Sequence, residues 1–189
     1  MSVSQQPSTG RPLRADAEQN RARIIEIARE ALATDGETTM QAVARAAGVG
    51  QGTLYRRFPT REALLAEVYR EDFDRLVDAA HTLLIDHSPV AALRAWFDEL
   101  ASFGRKKHAL ADVLDAATRA QLHDEQYDRV LAAIAALLDA GAATAELRTD
   151  VAPDEVLPLV GFLWQLDGRT DTRTDHLLDL VVDALRRHR

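Results

Sequence analysis

Residues 51–58 read QGTLYRRF and directly follow the stretch AAGVG. Gln51 and Thr53 carry amide and hydroxyl groups of the kind that meet base edges, whereas Tyr55 and Arg57 can hydrogen-bond phosphate oxygens. Arg56 bears the same charge but points about 100° away around a helix, so it ranks below its neighbour. Leu54 and Phe58 stand at i and i+4 and are the expected buried anchors. This set suits one exposed helix face that meets duplex nucleic acid. An ordinary helix corner with solvated arginines would contain the same residues, so the elements around them have to decide.

Upstream, Ile24, Ile27, Ala28, Ala31 and Leu32 fall at helical spacing, and Gly36 stops the run. Thr38 and Thr39 offer caps for a second helix, whose Val43, Ala46 and Ala47 face inward before Gly48 ends it. The turn there must be tight, and Gly48 can take the left-handed backbone that other residues resist. Val49 is expected to tuck beneath the pair. The third helix is Gln51–Phe58, closed by Pro59. Thr60 caps a fourth, over about 60–85, whose stripe runs through Leu64, Leu65, Val68, Tyr69, Phe73 and Leu76. Three helices with a glycine turn between the second and third follow the plan of a helix-turn-helix, in which the last helix enters a major groove. Thus the short third helix has little need to bury its outer face.

Beyond Ser88-Pro89 the helical period continues. Leu93, Trp96, Phe97 and Leu100 mark one helix, Leu110, Val113 and Leu114 a short one, and Tyr127 through Leu138 another that ends near Gly141. Helices over 153–166 and 174–188 complete the series. No alternating run is long enough for a strand. The expected fold is all-α, with about nine helices and no internal repeat. Residues 1–18 are expected to form a disordered basic arm, 19–62 the helix-turn-helix domain, and 63–189 a helical domain. Arg11 and Arg14 in the arm suit entry into a minor groove and equally a solubilising tail.

Charge is divided along the chain. Residues 1–70 hold ten arginines against eight carboxylates, whereas residues 71–189 hold 13 basic against 22 acidic side chains. The less acidic half is the one expected to meet phosphates. Cysteine is absent, which removes disulfide and thiolate chemistry. With neither a signal-like apolar start nor a stretch near the ~20 apolar residues of a membrane span, a cytoplasmic protein with no membrane partner is expected.

The segment IIEIAREALATDGETTMQAVARAAGVGQGTLYRRFPTREALLAEVY, residues 24–69, resembles the tetracycline-repressor (TetR) family of bacterial regulators. The resemblance rests on a first helix ending at glycine, a following threonine, the helix end ARAAGV, the TLYRRF element, and a basic residue opening REAL. Arg61 stands where that family usually carries lysine, and Gly52 where it often carries a larger side chain. The resemblance implies that Gln51, Gly52, Thr53 and Tyr55 face the groove and that Arg57 reaches backbone or base. It also implies that Arg61 clamps a phosphate and that Thr39 and Gln41 add contacts. The implied protein is a transcriptional regulator, not an enzyme: a homodimeric repressor that a small-molecule effector releases from a palindromic operator. Helices 153–166 and 174–188 would form the dimer contact. Val156, Leu159, Val160 and Leu163 on one, and Leu177, Leu178, Val181, Val182 and Leu185 on the other, make broad apolar faces that would also serve to close a monomeric core.

Candidate lining for an effector pocket is Trp96, Phe97, Leu100, Phe103, Leu114, Leu122, Tyr127, Phe162 and Trp164, since ligand sites are mostly apolar with few polar groups. All of these residues also suit plain core. RKKH at 105–108 would steer an anion or simply end a helix with cations. Six histidines show no H-x-x-x-H or H-E-x-x-H spacing, so no metal is expected. Lacking a nucleophile triad, a carboxylate pair in a cleft or a phosphate-cradling loop, the chain is expected to need no cofactor. A helical enzyme or carrier and a helical protein adaptor are the competing classes. Steep salt dependence of duplex binding would separate them from a DNA reader.

Overall fold

The computed structural model describes residues 10–34, 39–111, 115–165 and 171–187, with side chains over 16–31, 39–105, 115–163 and 173–187. The described residues form eight α-helices and one 3-10 turn: α1 (Gly10–Thr34), α2 (Met40–Ala47), α3 (Gln51–Arg57), α4 (Arg61–Asp86), α5 (Pro89–Ala111), α6 (Ala116–Ala143), α7 (Pro153–Leu159), the 3-10 turn Gly161–Gln165, and α8 (Asp171–Leu185). Among them the only β-type pairing is an isolated bridge between Leu147 and Arg186. The all-α expectation holds.

The chain divides into two compact units, residues 1–68 and 69–189. In the first, Ile24, Ile25 and Ala28 of α1 pack with Met40, Val43, Ala44 and Ala47 of α2, with Leu54 and Phe58, and with Leu64 and Val68 of α4. The unit ends six residues beyond the boundary expected after residue 62, because the first two turns of α4 supply part of this core. α1 begins at Gly10, so residues 10–18 of the expected disordered arm are helical. Residues 15–19, ADAEQ, are mostly good helix formers without an apolar stripe, and a search for packing periodicity passes over such a segment.

In the second unit the core is built on α5. Leu93, Trp96, Phe97 and Leu100 are buried, and the Trp96 indole N–H donates to the Leu76 carbonyl at 2.8 Å. α5 packs against α6, α8 and the 3-10 turn, and α6 against α7. Arg94 ties α5 to α8 through the carboxylate of Asp179, 2.6 Å away, and also pairs with Asp98. At the end of α6, Gly141 lies under Leu147 so closely that a Cβ there would stand 2.3 Å from the leucine Cδ1. That approach admits only glycine.

Two expected elements differ. The expected break before Leu110 does not occur, since α5 runs unbroken to Ala111; Val113 and Leu114 lie outside the described residues. The expected helix 153–166 is interrupted: α7 stops at Leu159, Val160 leaves helical geometry at φ −98° and ψ 7°, and a 3-10 turn follows. Pro158 has no N–H to continue the ladder and Gly161 adds backbone freedom. The apolar period crosses both and conceals the break.

Candidate nucleic-acid interface and effector cavity

The turn between α2 and α3 is built from local chemistry. The Thr39 hydroxyl accepts the Ala42 N–H at 3.2 Å and caps α2. At the other end Gly48 sits at φ 66°, ψ 28°. Its N–H donates to the Arg45 carbonyl at 3.2 Å, while the Val49 N–H reaches back to Ala44 at 3.0 Å. This bond pair is a Schellman motif, with Val49 as the apolar residue that closes it against the core. α3 then starts from Gly50, whose carbonyl accepts the N–H groups of Thr53 and Leu54 at 2.9 and 3.1 Å.

Of the seven residues of α3 only Leu54 is buried. Gln51, Gly52, Thr53, Tyr55, Arg56 and Arg57 are exposed, as are Thr39 and Gln41 at the start of α2. These eight residues therefore gather polar groups on two helix starts and one short helix face. A Cβ built on Gly52 meets nothing within 4 Å, so packing among the described residues does not demand glycine there. The Arg57 guanidinium lies 3.6 Å from Glu18 on α1. Glu18 also lies 3.4 Å from Arg21, which in turn pairs with Glu67 on α4. Arg61 is half-buried at the start of α4, where the Thr60 hydroxyl accepts the Ala63 N–H at 3.1 Å. The Glu62 carboxyl beside it is held below its ordinary range, chiefly by its own backbone N–H and then by the Thr60 hydroxyl. Glu18 was not among the residues expected to matter, because a contact between residues far apart in sequence leaves no local pattern.

The second unit contains a cavity of about 470 Å³. Among the described residues it is lined by Tyr69, Phe73 and Leu76 of α4, by Leu100 and Phe103 of α5, by Gln126, Tyr127 and Val130 of α6, and by His123, Asp154, Leu157, Pro158 and Gly161. The rings of Tyr69 and Phe103 lie 4.9 Å apart and those of Phe73 and Phe103 5.7 Å apart, the latter edge to face.

Of the expected lining residues, Leu100, Phe103 and Tyr127 reach this cavity. Trp96, Phe97 and Leu122 instead fill the core, because size and apolarity alone do not separate a wall from a filler. Phe162 is half-buried and does not line the cavity. Leu114, and the side chains of Trp164 and of Lys106–His108, lie outside the described residues. Sequence reasoning missed Tyr69, Phe73 and Gln126. The last had a signal: it is the one amide on a buried stripe running Leu122, Gln126, Val130, Ile134, Leu137.

The apolar faces expected at a dimer contact are divided by the fold. Val156, Val160, Leu163, Leu178, Val182 and Leu185 are buried within the chain, whereas Leu159 and Leu180 remain 46% and 52% exposed. Leu177 and Val181 are half-buried. Among the described residues no three potential ligands gather around a metal position, and no helix is long and apolar enough to cross a membrane.

Comparison with known proteins agrees with both units. Residues 24–68 match the family of bacterial regulatory proteins termed tetR, and residues 88–187 match the C-terminal domain of SbtR-like transcriptional regulators. An HTH-type transcriptional regulator of Staphylococcus aureus (strain USA300) is 32% identical over 107 residues, covering 55% of this chain and 58% of the relative. The match thus spans little more than half the length of such curated relatives. A crystal structure of a TetR transcriptional regulator from Streptomyces coelicolor is 34% identical, covers 89% of this chain and 99% of its own, and superposes with a TM-score of 0.76. A TetR transcription regulatory protein from Mycobacterium vanbaalenii is 32% identical over 93% of this chain and 100% of its own, with a TM-score of 0.72.

Proposed function

The chain belongs to the tetR family of bacterial regulatory proteins, and on that premise we propose that it is a homodimeric transcriptional repressor, released from a palindromic operator by a small molecule. The observation that carries this reading is α3 itself. It is fixed at its start by the Gly48 turn, held by Leu54 and by the buried Phe58 that closes it, and turned outward over six of seven residues. In a helix-turn-helix this is the element that enters the major groove. Gln51 and Thr53, at its N-terminal end, read base edges. Tyr55 and Arg57 take phosphates, Arg61 clamps another from α4, and Thr39 and Gln41 add contacts from α2.

Dimerisation follows from the geometry of the target. A palindrome presents two half-sites about one helical turn apart, and two identical subunits match it. Leu159 and Leu180, with the half-buried Leu177 and Val181, are the apolar surface left over for a second subunit along 153–166 and 174–188.

Release by an effector runs through α4. This helix is continuous from Arg61 to Asp86; it gives Leu64 and Val68 to the core of the first unit and Tyr69, Phe73 and Leu76 to the cavity wall of the second. A ligand that fits the cavity only in the arrangement unable to bind DNA lowers operator affinity, and the operator lowers ligand affinity by the same factor.

The direct test is selection of bound sequences from a random duplex pool, followed by titration of the recovered site at several salt concentrations. A recovered palindrome, with affinity falling steeply as salt rises, is the expected result. Failure to bind any duplex at low ionic strength would overturn the reading.

A further inference from the structure

We infer that the cavity of the second unit takes a neutral, largely aromatic small molecule bearing a carbonyl oxygen, with the Tyr69 hydroxyl and the Gln126 amide as its two polar anchors. This rests on the effector reading above and specifies the chemistry of that site.

Gln126 stands on the buried stripe of α6 and is only 8% exposed; Tyr69 on α4 is 5% exposed. Neither side chain has a hydrogen-bond partner among the described residues. A primary amide brings two donors and an acceptor oxygen, and a phenol one donor. Buried groups of this kind are nearly always paired, because leaving them unpaired forfeits the bonds they made to water. The wholly covered and unpartnered side-chain atom among the described residues is Thr174 Oγ1. The polar atoms of Gln126 and Tyr69 therefore keep contact with open space, and both residues line the cavity. Whatever occupies the cavity, water or an entering molecule, is what pairs them.

The chemistry of the anchors selects the class of ligand. Burial pushes the Tyr69 phenol up from its ordinary range, so it remains a protonated donor. Two neutral donors, one hydroxyl and one amide, complement a carbonyl oxygen without calling for a counter-charge; the ionisable side chains that also line the cavity, His123 and Asp154, are exposed, unlike this buried pair. Around them Phe73, Phe103, Leu76 and Leu100 offer ring faces and aliphatic surface. The volume sets the size: at ~30 Å³ per water, about 470 Å³ corresponds to roughly fifteen non-hydrogen atoms, within the usual range for small-molecule sites.

Three probes of nearly equal shape separate the possibilities on the full chain: 2-acetylnaphthalene, which has the carbonyl; 2-ethylnaphthalene, which lacks it; and 2-naphthoate, which adds a negative charge. Binding is measured by calorimetry or equilibrium dialysis. The ketone is expected to bind about tenfold more tightly than the hydrocarbon, and the naphthoate more weakly than the ketone. Gln126→Leu and Tyr69→Phe should each reduce the ketone preference while leaving hydrocarbon binding in place, which shows that the variants are folded. Equal binding of ketone and hydrocarbon, preference for the anion, no binding of any probe, or a preference that survives both substitutions would overturn the inference. Operator affinity measured with and without the ketone tests the parent reading separately: a ketone that binds through both anchors yet leaves DNA affinity unchanged sinks release by that site, not the ligand class.

Discussion

Arg57, on the outward face of α3, stands 3.6 Å from the Glu18 carboxylate on α1. The same guanidinium is proposed to meet a DNA phosphate, so Glu18 is its competitor inside the chain. An exposed pair of this kind contributes at most about 1 kcal/mol. Replacing Glu18 by Gln is therefore expected to tighten binding to every duplex alike, by up to about fivefold. Arg57→Ala should weaken binding across sequences and reduce the slope of log affinity against log salt by about 0.9. Fluorescence anisotropy at a series of salt concentrations reads both effects.

Base readout and phosphate clamping should separate at the two ends of the reading surface. Gln51→Ala is expected to relax sequence preference at one position of each half-site, where a good base contact discriminates by about 1–3 kcal/mol. Arg61→Ala should instead lower affinity for all duplexes by a similar factor. Competition between the selected site and a scrambled duplex measures the difference.

The two glycines flanking the turn predict opposite outcomes. Gly48 sits at φ 66°, so Gly48→Ala should destabilise the fold by about 1–2 kcal/mol. Gly52 has open space around it and lies within α3, so Gly52→Ala should stabilise by about 0.5–1 kcal/mol. If the groove approaches this backbone closely, the same methyl group will lower DNA affinity. Urea unfolding and anisotropy on the same samples distinguish a gain in stability from a loss of binding.

Leu180 on α8 and Leu159 on α7 are more exposed than most large apolar side chains among the described residues. Leu180→Glu is expected to convert a dimer of the 20.9 kDa chain into a monomer and to lower operator affinity with it. Sedimentation velocity measures the mass, and an unchanged melting temperature would show that each subunit still folds.

Acid should loosen the second unit through its exposed carboxylates. The Arg148 guanidinium holds Asp150 at about 2 rather than 3.8, and the Thr118 backbone N–H and hydroxyl hold Asp115 below its usual range. A carboxyl depressed in the folded state stabilises it above the unfolded value and loses that contribution as pH falls through the folded one. Stability is thus expected to decline from about pH 4 toward pH 2. An Asp115→Asn, Asp150→Asn variant, melted across that range, should show a flatter decline.

The α2–turn–α3 region was legible because its determinants are local. Thr39, Gly48, Val49 and Thr60 each act on residues within a few positions, and their types advertise the geometry. The start of α1 and the break after Leu159 were not. One is a helix without an apolar stripe, and the other an apolar stripe without a continuous helix. The cavity lay between: Leu100, Phe103 and Tyr127 are of the expected type. Which aromatic fills and which lines, however, is decided by α4, α5 and α6 together, so Trp96 and Phe97 went to the core. Gln126 was visible as the polar residue out of place, and Glu18 only in three dimensions.

Val68 and Tyr69 are neighbours on α4, one belonging to the core of the first unit and the other to the cavity wall of the second. No spacer exists at which the chain could be divided. A fragment ending there would carry away a raw helix face, and separately expressed halves should be poorly behaved for that reason alone. A junction made at this point lies inside a helix, so one extra residue would turn the rest of α4 by about 100° and advance it by about 1.5 Å. Joining a different second unit at this point is therefore a problem of helical register before it is one of affinity.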